Sequence, residues 1–145
     1  MIDDHRLIVL GGHDGNDFVD TTEVLDTRSM TFSAGPQMTC RRTGCASEML
    51  DGRRLLVLGG RDDSAWLDTT EVLHVTTMHF EMGPKMGYRR RGCAAVLLDD
   101  QRLLVVGGHD GQSCVETSEV LSISPMRFEP GPPLGAMDGC AAVAV

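Results

Sequence analysis

The chain has 145 residues, 41% apolar and 23% charged, with 13 Lys and Arg against 21 Asp and Glu and a formal charge of −8. That balance fits one folded domain and argues against disorder. No apolar run approaches the roughly 18 residues that span a bilayer, and the acidic excess opposes binding to nucleic acid or anionic membrane, which needs clustered Lys and Arg.

The start, Met1-Ile2-Asp3-Asp4-His5, lacks the basic-then-apolar order of a secretory signal. The five cysteines, Cys40, Cys45, Cys93, Cys114 and Cys140, are odd in number and contain no CxxC pair. They are read as thiols in a reducing, cytoplasmic setting rather than as a disulfide frame or a zinc site. The five histidines form no metal constellation, and no cofactor is expected.

In chain order the first element is Arg6-Leu7-Ile8-Val9-Leu10, ending in Gly11-Gly12. It is apolar on both faces, so as a strand it must be covered on both sides. The glycine pair is read as structural, allowing bends or positive φ; with no helix after it, its likeness to a phosphate loop is superficial. Thr21-Thr22-Glu23-Val24-Leu25 is predicted as the next strand, followed by one centred on Met30 and Phe32 that ends at Gly35-Pro36. Gly44-Cys45-Ala46 then opens a strand of small residues, and Asp51-Gly52 makes a tight hairpin turn.

The chain then repeats itself at steps of 48 residues. Arg6–Gly12 returns as Arg54–Gly60 and as Arg102–Gly108; Thr21–Leu25 as Thr69–Leu73 and Thr117–Leu121. Met30 and Phe32 match Met78 and Phe80, then Met126 and Phe128, while Gly35-Pro36 matches Gly83-Pro84 and Gly131-Pro132. Gly44-Cys45-Ala46 matches Gly92-Cys93-Ala94 and, after one deletion, Gly139-Cys140-Ala141. Each unit reads as four short strands: A (Cys93 to Leu98 in one copy), B (the apolar run), C (around the recurrent Glu) and D (the Met-x-Phe step). A lone four-stranded sheet with two apolar faces needs neighbours, and radial stacking of copies gives a propeller.

These residues resemble the kelch repeat family, whose pattern is an apolar strand ending in Gly-Gly, an Asp-Gly turn, a Glu-bearing strand, then an aromatic and a Pro-rich end. Gly11-Gly12-His13-Asp14-Gly15 and Gly107-Gly108-His109-Asp110-Gly111 carry the likeness most closely, and Glu23, Glu71 and Glu119 match the Glu. The family's Tyr in strand C is replaced by Leu25, Leu73 and Leu121, and its Trp in strand D by Phe32, Phe80 and Phe128. The middle turn, Arg61-Asp62-Asp63, lacks the Gly and is a candidate for a different conformation. The resemblance implies an all-β kelch β-propeller with three four-stranded blades: either a partial propeller or half of a six-bladed ring closed by a head-to-tail homodimer. Residues 1–145 are read as one region, with repeats at about 1–43, 44–91 and 92–138 and a terminal strand A at 139–145.

In such a blade the D–A and B–C connections emerge on one face. The D–A set carries Arg41, Arg42, Arg89, Arg90 and Arg91, whereas the third copy has Gly135-Ala136-Met137-Asp138. Arginine forks suit carboxylates and phosphates. By resemblance to the propellers of ubiquitin-ligase adaptors, Arg41, Arg42, Arg89 and Arg90 are expected to hold a protein or acidic peptide; the alternative is solvated arginines balancing Asp14, Asp62 and Asp110. Phe18 and Trp66 share one B–C position and are either binding anchors or rings lying over a neighbouring blade. Glu23, Glu71 and Glu119 are read as structural acids, and Cys45, Cys93 and Cys140 as packing. Cys40 and Cys114, in loops, are the better candidates for reactive thiols. The leading reading is a non-enzymatic protein-interaction module. A sugar-processing enzyme or an actin-associated structural protein on the same fold are the alternatives.

Overall fold

A computed structural model describes residues 1–134, which form three antiparallel sheets and contain no helix. The first sheet has three strands, β1 (Arg6–His13), β2 (Phe18–Asp26) and β3 (Thr31–Ala34). The second has four: β4 (Ala46–Met49), β5 (Arg54–Leu58), β6 (Thr70–His74) and β7 (His79–Met82). The third is β8 (Ala94–Asp99), β9 (Arg102–Val106), β10 (Ser118–Ile123) and β11 (Met126–Pro130). In each sheet the strands lie in chain order; the second and third have the four strands A to D, whereas the first has three, B to D, rather than the four expected of each blade. The stretch expected as a terminal strand A, 139–145, and with it Cys140, lies outside the described residues.

Register explains why the units stack. Leu55 pairs with Leu73 and Leu73 with Phe80, while Val57 pairs with Glu71, so these five share one face of the second sheet. Leu56, Leu58 and Val72 occupy the other. The first face packs with Val24, Met38, Ile8 and Leu10 of the first unit. The second packs with Leu103, Val105, Leu121 and Phe128 of the third. The apolar run of β5 is thus covered on both sides, as its composition requires, and Leu56, Val57 and Leu58 are fully buried.

Two further devices recur. The hydroxyls of Thr22, Thr70 and Ser118 donate to the carbonyls of Pro36, Pro84 and Pro132, tying strand C to the chain leaving strand D. A Cβ on Gly59 would lie 2.1 Å from the Arg90 carbonyl oxygen, and the residue has φ +64°, so only glycine lets the D–A segment pass so close. The three B–C turns keep one scheme despite the odd middle sequence: Asp14, Asp62 and Asp110 each accept backbone N–H groups two and three residues on. The middle turn departs in two places: Asp63 lacks the positive φ of Gly15 and Gly111, and Arg61 offers no acceptor for the N–H that Gly15 and Gly111 donate to Nδ1 of His13 and His109.

Arg42 and Arg90 join the units. The Arg42 backbone belongs to the first: its N–H donates to Val19 and its carbonyl accepts from Gly12. Its side chain crosses to the second, where Nε donates to Glu71 Oε1 at 2.8 Å, Nη1 to the carbonyls of Gly59 and Thr69, and Nη2 to Thr69 Oγ1. Arg90 repeats every contact one unit later, on Glu119, Gly107 and Thr117. The Thr39 N–H and Cys40 thiol complete the shell of Glu71, and the N–H groups of Gly87 and Tyr88 that of Glu119. Both arginines are fully buried. The expectation that Arg42 and Arg90 contact a partner is therefore corrected: their donors are committed inside the molecule. The structural reading of Glu71 and Glu119 matches the contacts, whereas Glu23 is exposed.

Breaking a buried ion pair strands the remaining charge and costs about 3–5 kcal/mol. Arg42→Ala should lower the free energy of unfolding in urea by about that amount, while Arg41→Ala, one residue away on the surface, should leave the midpoint unchanged. Burial pushes the Glu71 carboxyl up, but hydrogen bonds from the Thr39 N–H and Arg42 outweigh it and hold the group below its ordinary value of 4.5. The folded state then binds fewer protons than the unfolded one, so this stabilisation is present above pH 4.5 and fades as pH falls through the lowered value. Urea melts of wild type and Glu71→Gln should differ most near neutral pH and converge below pH 4.5.

Candidate arginine-lined interface

Each D–A segment runs beside the B–C turn of the next unit. Thr43 and Arg61 exchange both backbone hydrogen bonds, at 2.9 and 3.0 Å, and Arg91 and His109 do the same. The two loop sets expected on one face are therefore neighbours across each unit boundary.

With Arg42 and Arg90 removed from the surface, the outward basic groups are Arg41, Arg89 and Arg91, all exposed. Arg41 donates from Nη1 to Asp63 at 2.8 Å, close to the charge-balancing alternative although with a different aspartate. Among the described residues, Arg89 and Arg91 form no ion pair. The Arg91 side chain lies against Gly44 of its own unit, where an added Cβ would meet its Cγ at 3.0 Å.

Phe18 and Trp66 are half-buried, each reaching toward the next unit. The Arg61 guanidinium lies over both rings, 5.4 Å from the Phe18 centroid and 4.6 Å from that of Trp66. His13 meets Phe18 edge-on at 5.3 Å, and His109 is tilted against Trp66 at 6.4 Å. The result is a row across three units: His13, Phe18, Arg61, Trp66, His109. Cation–π contact holds Arg61 in place yet satisfies none of its N–H groups. Its Nε is buried without a hydrogen-bond partner, and among the described residues it meets no carboxylate. Sequence reasoning passed over Arg61 as a binding group. The available signal was that it replaces the histidine found at positions 13 and 109, five residues before an aromatic position.

Four of the carboxylates here are engaged in structure. Glu71 and Glu119 are bound to arginines; Asp14 and Asp110 are held low by the backbone N–H groups they accept. Among the described residues no three metal-ligating side chains cluster. Cys40, expected as a reactive thiol, is half-buried and donates to Glu71 at 3.3 Å; burial, with that acceptor, pushes its thiol up to about 11. Relative to the ordinary value of 9.0, its thiolate fraction at neutral pH falls about 100-fold. Iodoacetamide at pH 8 should therefore alkylate Cys40 far more slowly in the folded chain than in urea, as read by peptide mass mapping.

Residues 2–39 match the model of the Kelch motif. No curated protein matches the chain. The matched segment is the first of the three units, and the next two carry its Gly-Gly pair, its strand C acid and its Gly-Pro ending at the same spacing. The first unit thus matches the kelch motif, and the two units that follow resemble it.

Proposed function

We propose that the chain is a protein-interaction module that takes an acidic peptide segment on its D–A and B–C face, as the recognition part of a larger cytoplasmic adaptor or scaffold. The kelch motif supports the module, and its three sheets are read as blades of a propeller. The observation that carries the ligand class is Arg61: a guanidinium oriented by two aromatic rings with no carboxylate of its own. A carboxylate arriving from outside gains a pre-aligned guanidinium whose charge no neighbouring carboxylate offsets. Arg89 and Arg91 extend the positive charge along the same side, while Arg41 is already neutralised by Asp63. No helix of the described residues is long and apolar enough to cross a membrane.

Binding rather than catalysis is favoured because Glu71, Glu119, Asp14 and Asp110 are committed to structural hydrogen bonds. The reading is tested by fluorescence anisotropy with a labelled Glu-rich peptide and its Gln-for-Glu isomer. The Glu-rich peptide should bind more tightly, with an affinity that falls as salt rises. A charge-assisted contact contributes about 1.5–3 kcal/mol, so Arg61→Gln should weaken binding at least tenfold. Arg89→Glu should weaken it less, and Arg41→Gln least. Equal binding of the two peptides, or indifference to Arg61→Gln, would sink the assignment.

A further inference from the structure

The two joints between units are built alike but filled differently. At the joint of the first and second units, Thr39 Oγ1 donates to Met82 Sδ at 3.2 Å, and Phe80, on the same sheet face as Met82, is 4% exposed. At the joint of the second and third, Gly87 stands in the place of Thr39 and Pro130 in that of Met82, so neither side chain is there to meet. Phe128, the counterpart of Phe80, is half-buried rather than buried. An open cleft of about 410 Å³ lies at this joint, lined chiefly by Met86, Gly87, Tyr88, Phe128, Pro130 and Pro133. Its walls come from two units that are both present, so it belongs to the interior of the array and not to an end.

The walls are held in place. Glu119 accepts the N–H groups of Gly87 and Tyr88 and the Nε of Arg90. The Arg90 guanidinium lies 5.6 Å from the centroid of the Tyr88 ring, which stays half-exposed. The carboxylates beside the cleft are taken, Glu119 by Arg90 and Glu129 by Arg127, and the Ser118 hydroxyl is committed to the Pro132 carbonyl. The cations are less well matched. Lys85, on the cleft wall, is exposed and meets Asp68 only at 3.9 Å, beyond hydrogen-bond reach. Arg89, next in the chain after Tyr88, is exposed and forms no ion pair among the described residues.

From this we infer that the cleft between the second and third units receives an aromatic side chain of a partner peptide, one whose neighbouring residues are acidic. The inference rests on the acidic-peptide reading of the D–A and B–C face and names the residue type that anchors such a peptide. The cleft opens on that face, since its walls are the start of a D–A segment and the start of a strand C. Tyr88 and Phe128 offer an arriving ring stacked or edge-on contact, and the methionine and prolines add apolar surface around it. Lys85 and Arg89 at the rim favour carboxylates on either side of the ring.

The probes are two Glu-rich peptides of equal length and charge, one with a central Phe and one with Ala, titrated into the ¹⁵N-labelled chain. The Phe peptide should shift the amides of Gly87, Tyr88, Ser118 and Phe128 and bind at least tenfold more tightly than the Ala peptide. Gly87→Thr with Pro130→Met rebuilds the contact that fills the first joint, and Tyr88→Ala removes an exposed wall. Each should erase the Phe preference and leave the affinity of the Ala peptide unchanged. Because Thr39 and Met82 already occupy these places at the other joint, the double variant keeps its fold. No shifts at those amides with millimolar Phe peptide, a Phe preference untouched by both variants, or phenylacetate binding as tightly as the peptide would overturn the inference. Arg61→Gln separates the two readings: it should weaken both peptides alike and keep the Phe preference. A Phe preference in a chain indifferent to Arg61→Gln would sink the Arg61 assignment and keep the cleft. Equal binding of two peptides that both need Arg61 would sink the cleft alone.

Discussion

A guanidinium taken out of water has to find nearly all its hydrogen bonds inside the protein, and that requirement governs how these units meet. Arg42 uses Nε, Nη1 and Nη2 on one carboxylate, two backbone carbonyls and one hydroxyl of the neighbouring unit, while its own backbone is held by the unit it came from. Apolar burial supplies the non-directional attraction between sheets. The clasp adds direction, since a shift by one residue in either sheet would leave a buried charge without its partners. Gly59 is part of the same device: its missing side chain gives room to the Arg90 carbonyl, just as that arginine reaches onward to the third unit.

Because one arginine of each pair points inward, its neighbour points out. Arg41 and Arg89 reach solvent for the same backbone reason that Arg42 and Arg90 do not: successive side chains of an extended segment face opposite ways. The outward residues are then free to vary in role. Arg41 finds Asp63, which the middle turn carries in place of the glycine of its neighbours. That turn also carries Arg61 in place of a histidine, and the Phe18 and Trp66 rings hold the new cation without neutralising it. The departure from the repeat at Arg61-Asp62-Asp63 thus keeps the backbone hydrogen bonds to the turn aspartate, gives up the imidazole acceptor of the other two turns and changes the electrostatics of the face.

The first two sheets differ in burial for a related reason. The middle sheet has a neighbour on each side and buries both faces; the first keeps Val9, Phe32 and Glu23 at its surface. A repeat protein presents at its edge the same chemistry that it uses internally.

The sequence by itself determined the period, the strand order within each unit, the two-sided burial of Leu55–Leu58 and the structural glycines and glutamates, because alternation and turn chemistry are local and repeat themselves in plain view. The recurrent Glu was legible as a buried acceptor, since an acid kept within a strand at every repeat needs donors. What only the tertiary structure decided was which arginine is surface. Arg41 and Arg42 are the same residue type one position apart, and their fates turn on Glu71, 29 residues beyond Arg42 and on the next sheet. The same holds for Arg61, Phe18 and Trp66, whose stacking crosses a unit boundary, and for Cys40, whose thiol is raised by burial beside a carboxylate that its loop sequence does not contain. Periodicity reports which face of a strand a side chain takes; what covers that face is a property of the neighbouring unit.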